Sequence, residues 1–297
     1  MGTYYSTPET VALLRSRIGP ALPAVPFPYG EKRQRNGVTL SFHPSGHVPG
    51  AAQIRVEYRG EVWVAAGDYK MAADGTSPPF EPLRCHTFIT ESTFGLPIYQ
   101  WEPPDRLATE INQWWQQCQE EGKIALLLAY SLGKAQRILA GLDPARGPIF
   151  THPAVEELNT VCREVLGLPL PAAPRLPHPF SRKDAEGALV IAPPAVLGSA
   201  WQKKLPPVSL AQASGWMAVR GNRRRMALDR GFVLSDHADW PGLQEAIEAT
   251  GAEKILVTHG YVDPMVRWLR EQGKDAEALA TAYGQEEENG KGAESSP

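Results

Sequence analysis

Five strand-like apolar runs in this chain each deliver an ionisable side chain at or just beyond their end. VTLSFHPSGHVPG presents His47 in a glycine-rich loop, VWVAAGDYK presents Asp68, HTFITEST presents Glu91, FVLSDHADW presents His237 and KILVTHGY presents His259. Imidazole and carboxylate are the ligands that zinc and similar divalent ions prefer, and a histidine near a carboxylate is equally suited to moving a proton. Taken singly, each has an ordinary explanation. A strand-end histidine commonly satisfies a turn, and a strand-end aspartate commonly caps the next one. Repetition along the chain puts a metal or acid–base site on equal terms with those explanations.

Such a site requires strands that finish together along one sheet edge, with small neighbours such as Gly46, Gly67 and Gly260 leaving room for a ligand. Period-two patterning predicts short strands at 38–43, 53–57 and 61–65. From about Leu107 the pattern changes to a helix, LATEINQWWQQCQEE, followed by KIALLLA, a wholly apolar run typical of a buried parallel strand. A helix from near Gly133, a strand at GPIFT, a helix at PAVEELNTVCREVL, a proline-rich loop from Leu168 to Phe180 and a strand at ALVIA complete a small doubly wound unit. From about Pro206 short strands are expected again at VSLAQAS, WMAVRG and GFVLS, then helices and the strand KILVT. The predicted organisation is an α/β host domain from residues 1–96 and 205–284, an inserted domain from 97–204, and an acidic, disordered tail over 285–297.

A chain of 297 residues, 42% of them hydrophobic, can bury a core in each of two such units. No apolar run approaches the ~18–20 residues that cross a bilayer, and the first residues lack a signal-peptide pattern, so no membrane partner and a cytoplasmic location are expected. Cys85, Cys118 and Cys162 are odd in number and far apart, which argues against a disulfide framework and for buried thiols. The net charge of −3 is matched by the terminal QEEENGKGAESSP alone, with four Glu and one Lys, leaving a near-neutral body in which local basic patches can meet phosphate. Two such patches stand out. AYSLGKAQR opens a helix where Ser131, Lys134 and backbone N–H groups could hold a phosphate, the alternative being a capped helix with a solvated lysine. VRGNRRRM carries Arg220, Arg223, Arg224 and Arg225 close to Trp216, and fits backbone contact with nucleic acid or a solvated turn between strands.

The order SGHVPGAAQI, GDYK, TESTFG, LSDHADW, VTHGY resembles the motifs of metallo-β-lactamase-fold nucleases with a β-CASP insert, a group that includes Artemis-like DNA nucleases and the pre-mRNA 3′-end endonuclease. SDHADW, ASGWMAVRG and the TPET-containing start look most like the bacterial exonucleases that accompany an ATP-dependent DNA ligase. The resemblance spans residues 3–284 and implies an αββα sandwich holding two divalent ions, zinc or manganese. It implies that His47 ligates one ion, Asp68 bridges both and His259 ligates the second, while His237 protonates the leaving group and Glu91 orients it. DNA is the implied substrate, in end processing or repair, with RNA cleavage and non-catalytic nucleic-acid binding as the alternatives.

One element of the pattern is missing. Relatives of this type carry a His-x-His-x-Asp-His loop ahead of the segment that begins here at GTYYSTPET, and none of the seven histidines replaces it. Either the reading frame starts too late, in which case an in-frame extension of about 40–60 residues upstream of Met1, the size of one supersecondary unit, is expected, or the chain is a degenerate or truncated copy; weak metal binding and little nuclease activity are expected of the chain as it stands.

Overall fold

The computed structural model describes residues 3–177 and 186–279. His178 and the acidic tail expected over 285–297 lie outside the described residues.

The chain opens with β1 (Tyr4–Ser6), α1 (Pro8–Ile18) and β2 (Ala24–Pro26), β1 and β2 forming a two-stranded parallel sheet. Thr7 caps α1 by accepting a hydrogen bond from the Thr10 N–H, and Pro8 fills the first helical position, where no N–H is needed. β3 (Arg33–Arg35), β4 (Val38–Pro44), β5 (Ala52–Tyr58) and β6 (Glu61–Ala65) then run as an antiparallel meander, and β7 (Thr87–Ser92) joins β6 in parallel. The expected strands at 38–43, 53–57 and 61–65 are all present.

The middle of the chain builds a second sheet. It contains α2 (Pro104–Glu120), β8 (Ile124–Leu128), α3 (Lys134–Gly141), β9 (Ile149–Thr151), α4 (Pro153–Glu164) and β10 (Leu189–Ala192), followed by β11 (Val208–Ala213), α5 (Arg220–Arg225) and β12 (Arg230–Phe232). The strand order is β12-β11-β8-β10-β9, all parallel. Both faces of β8 are buried. Ala125 and Leu127 pack with Ile111, Trp115 and Leu139 on one side, while Ile124, Leu126 and Leu128 pack with Val190 and Leu210 on the other. This double burial is why KIALLLA reads as continuous hydrophobicity.

Two expectations change here. VSLAQAS does not return to the first sheet. It lies beside β8, with Leu210 opposite Leu126, and carries β12 with it. WMAVRG is not a strand but a 3-10 turn over Gly215–Ala218 that runs into α5.

The chain re-enters the first sheet only after β12. α6 (Trp240–Thr250), β13 (Lys254–Gly260), α7 (Val262–Glu271) and β14 (Asp275–Ala278) complete a seven-stranded mixed sheet of order β14-β13-β7-β6-β5-β4-β3. Val62, Val64, Phe88, Ile255 and Val257 face a core closed by Leu243 and Ile247 of α6 and Met265 and Leu269 of α7. On the opposite face Ile54 and Trp63 are each 40% exposed. Cys85, Cys118 and Cys162 are free and buried, as expected. Among the described residues no helix is long and apolar enough to cross a membrane.

Candidate metal and acid–base site

β4, β6 and β7 each pass into a loop on the same edge of the seven-stranded sheet, and the loop before α6 comes back to meet them. His47, Asp68 and His237 each place a ligand atom within 4.8 Å of the others'. The His47 Nε2 lies 3.8 Å from an Asp68 carboxylate oxygen, and the His47 and His237 rings are 4.7 Å apart. Four of the five strand-end residues thus converge, because Glu91 sits directly behind His237.

Hydrogen bonds assign a task to each nitrogen. His47 Nδ1 is 2.8 Å from the Asp236 carbonyl oxygen, which can only accept, so Nδ1 carries the proton and Nε2 keeps its lone pair facing Asp68. Burial, reinforced by the nearby His237, lowers the His47 pKa and favours the neutral, ligating form. His237 is biased the other way. Its Nδ1 sits 2.9 and 3.1 Å from the two Glu91 oxygens. Burial opposes charge on this ring, but the bond to Glu91 and its negative charge outweigh burial and raise the pKa. Glu91 is itself 1% exposed and accepts a hydrogen bond from the Tyr69 N–H at 2.8 Å. A pair of histidines side by side, one held neutral and one held ready to be charged, separates a ligand from a proton carrier.

His259 is on the same edge but outside this cluster of donor atoms. It is the bulge residue where the β7–β13 pairing shifts between Thr258 and Gly260, and its φ of 58° is one a non-glycine residue seldom adopts. The Ser92 hydroxyl donates to its carbonyl at 2.6 Å. The following Gly260 has φ 89°, and any Cβ there would overlap the Ser92 carbonyl, so only glycine passes β7 this closely. The side chain of His259 is exposed.

The phosphate-binding expectation at Ser131 and Lys134 meets a different arrangement. The loop caps itself: the Gly133 N–H donates to the Gln136 side chain at 2.7 Å, and that side chain donates back to the Ser131 carbonyl at 3.0 Å. Lys134 is only 5% exposed, and its ammonium lies 2.9 Å from Asp236. Burial spends that charge on a carboxylate, so it is not offered to solvent. Arg223 and Arg224, by contrast, are exposed on α5. His152 caps α4 by accepting from the Ala154 N–H, and Trp114 and Trp115 are core residues.

Behind the site lies a buried ionic cluster that the strand-end pattern does not announce. Arg137 bonds Asp74 at 2.7 Å and Asp236 at 3.0 Å and also reaches the Ser235 carbonyl, while Lys70 pairs with Asp74. Burial works against both aspartates, but Lys70 and Arg137 beside Asp74, and Lys134 and Arg137 beside Asp236, still hold their pKa values below the ordinary one. Since the Asp236 carbonyl orients His47, two cations of α3 set the ring that faces Asp68. The signal available in sequence was the i, i+3 spacing of Lys134 and Arg137, which puts both on one helix face.

Two imidazoles and one carboxylate in mutual reach suit a catalytic zinc, which typically takes three protein ligands. His47 and Asp68 already face each other through Nε2 and a carboxylate oxygen, and with Nδ1 bonded to Glu91 the Nε2 of His237 is left either to ligate or to carry a proton. A second ion finds no comparable set among the described residues, since His259 stands apart.

No family model matches the chain. A "Probable DNA ligase" of Opitutus terrae is 31% identical over 275 residues, covering 91% of this chain. "Endoribonuclease YSH1" of Saccharomyces cerevisiae is 33% identical over 110 residues, covering 36% of this chain. The chain spans 26% of the length of the first relative and 14% of the second. A crystal structure of a protein of unknown function from Enterococcus faecalis superposes with a TM-score of 0.60 over 94% of this chain and 74% of that one, at 11% identity, which shows a shared fold. The five motifs in order, the site that four of them build and these relatives place the chain in the metallo-β-lactamase-fold/β-CASP family.

Proposed function

We propose that the chain serves the metal-dependent hydrolysis of phosphodiester bonds at DNA ends. The observation that carries this reading is the pair of histidines at 4.7 Å, one oriented as a ligand by the Asp236 carbonyl and one as an acid by Glu91. His47 Nε2 and Asp68 would hold a divalent ion, zinc or manganese, which when bound would neutralise phosphate charge and lower the pKa of a water. His237, whose pKa Glu91 raises, gives its proton to the departing oxygen. Glu91 stays fixed by the Tyr69 N–H while the ring changes charge. His259 takes no step here, since its side chain lies outside the donor cluster.

DNA is favoured because the relative aligned along nearly the whole chain is a probable DNA ligase, and a ligase is accordingly the proposed partner. RNA is the second reading, favoured by the endoribonuclease relative over a shorter stretch. In architecture, we assign an αββα sandwich, of which the seven-stranded sheet with α6 and α7 forms one side and leaves Ile54 and Trp63 half-exposed on the other, interrupted by a β-CASP-type unit that runs from about residue 97 to about 234, past the 204 expected from sequence, since β11 pairs with β8 and β12 with β11. The test is hydrolysis of matched, end-labelled single-stranded DNA and RNA with zinc, manganese or chelator. Slow, metal-dependent cleavage of DNA that disappears in Asp68→Ala is expected of so sparse a ligand set; preference for RNA selects the second reading, and cleavage unaffected by chelator contradicts both.

A further inference from the structure

Five aromatic residues crowd the rim of the site on the His237 side. Phe94 lies 6.0 Å from the His237 ring, and Tyr99, Trp101 and Trp216 surround Phe94 at 4.8–4.9 Å between ring centroids. Tyr261 closes the group, its hydroxyl 3.1 Å from that of Tyr99. Phe94 and Tyr99 are buried and Trp101 is anchored by donating its indole N–H to the His237 carbonyl at 2.9 Å. Trp216 alone among the three tryptophan and tyrosine neighbours of Phe94 keeps a large open surface, 40% exposed.

An isolated exposed aromatic is ordinary on a protein surface. Trp216 is different because its position is fixed from several sides. Its backbone N–H donates to the Ser214 hydroxyl at 3.3 Å, and its backbone carbonyl accepts from the Asn222 side chain at 2.7 Å. One residue earlier, a Cβ at Gly215 would overlap the Phe94 ring, so glycine is what lets this turn press onto the aromatic cluster. The same Asn222 bond hangs α5 from the Trp216 carbonyl. That short helix exposes Arg220, Arg223 and Arg224, none of which has an acidic partner among the described residues. A rigid, half-open indole beside unpaired guanidinium groups is the combination that holds single-stranded nucleic acid, with a base on the ring and backbone phosphates on the cations.

We propose that Trp216 is a stacking platform for an unpaired nucleobase of the substrate strand, next to the nucleotide that His237 acts on, with Arg223 and Arg224 holding the adjoining phosphates. This rests on the nuclease reading above and adds to it a requirement: the strand must be unpaired where it crosses the rim, because a base inside a duplex has no free face for the indole. Trp216 is a binding residue in this account and does not touch the reacting atoms.

The test is fluorescence anisotropy of the full chain with a labelled twelve-nucleotide single strand and, separately, a blunt hairpin duplex, in chelator so that binding is read without cleavage. Trp216→Ala is expected to weaken single-strand binding roughly 5- to 100-fold, the loss that accompanies removal of one base–aromatic stack, and to leave duplex binding unchanged. Trp216→Phe, which keeps a ring on the cluster, is expected to retain most of the affinity and guards against a folding artefact. A single abasic nucleotide that removes the stacked base should reproduce the loss in the wild-type protein and add nothing in Trp216→Ala. Arg223→Glu with Arg224→Glu should weaken single strand and duplex together and flatten the salt dependence. Equal single-strand affinity in Trp216→Ala, or a loss shared equally by the duplex, overturns the platform while leaving the nuclease reading intact. Wild-type protein that binds neither nucleic acid overturns both.

Discussion

The division of labour between His47 and His237 rests on what each Nδ1 touches. A backbone carbonyl fixes the neutral tautomer of His47, and a carboxylate favours the charged form of His237. Zinc titration by calorimetry should therefore separate them: His47→Ala and Asp68→Ala are expected to weaken binding about 10-fold or more, as loss of a ligand does, while His237→Ala leaves it within a few-fold. Equal loss in all three would make His237 a ligand. Glu91→Gln keeps the shape but removes the charge that holds the imidazolium, and turnover on DNA is expected to fall about 10- to 100-fold with the zinc affinity preserved; a loss of zinc along with turnover would place Glu91 in the metal site instead. His47, Asp68, Glu91 and His237 were legible in the sequence because each lies at or shortly after the end of a strand-like apolar run. The nitrogen assignments were not, since Asp236 lies 189 residues from His47 and only the folded chain brings its carbonyl there.

At the scale of elements, α3 is the part whose role the sequence concealed. Lys134 reads as a solvated or phosphate-binding lysine because SLGKAQR has the look of a helix start, yet tertiary packing buries it with Arg137 against Asp236 and Asp74. Arg137→Met removes the cation shared by two buried carboxylates and should lower unfolding stability by about 3–5 kcal/mol, measured in denaturant; a change under about 1 kcal/mol would mean the carboxylates are solvated. Asp74 gives the pH dependence. Its pKa is held below the ordinary 3.8 by Lys70 and Arg137, the latter shared with Asp236, so its contribution is complete above that value and is lost as pH falls through the depressed one. The melting-temperature gap between wild type and Asp74→Asn should then shrink below about pH 4, and a gap constant from pH 6 to 3 would contradict the ion pairing. β11 was misplaced for another reason. An apolar parallel strand carries in its own sequence no mark of which neighbour it pairs with, and Leu210 satisfies its burial against Leu126 of β8 as well as it would in the other sheet.

Across the whole molecule, the seven-stranded sheet supplies His47, Asp68 and Glu91, and the segment that leaves the five-stranded sheet after β12 supplies His237. The site exists only where the two sheets' connections meet, and the buried ionic cluster sits at that junction, with Lys70 and Asp74 on one side and Lys134 and Arg137 on the other. The alternation of β and α segments made an α/β fold with an interruption legible; where the interruption ends was not, because it depends on strand pairing. The arrangement makes one claim that everything else depends on, that a metal ion sits between His47 and Asp68 with His237 held beside it by Glu91. Crystals of the protein grown with zinc, measured at the zinc absorption edge, test this directly. An anomalous peak bounded by His47 Nε2 and the Asp68 carboxylate is expected, with His237 still hydrogen-bonded to Glu91. A peak held by other residues, or no peak at that position in zinc-saturated crystals, would contradict it.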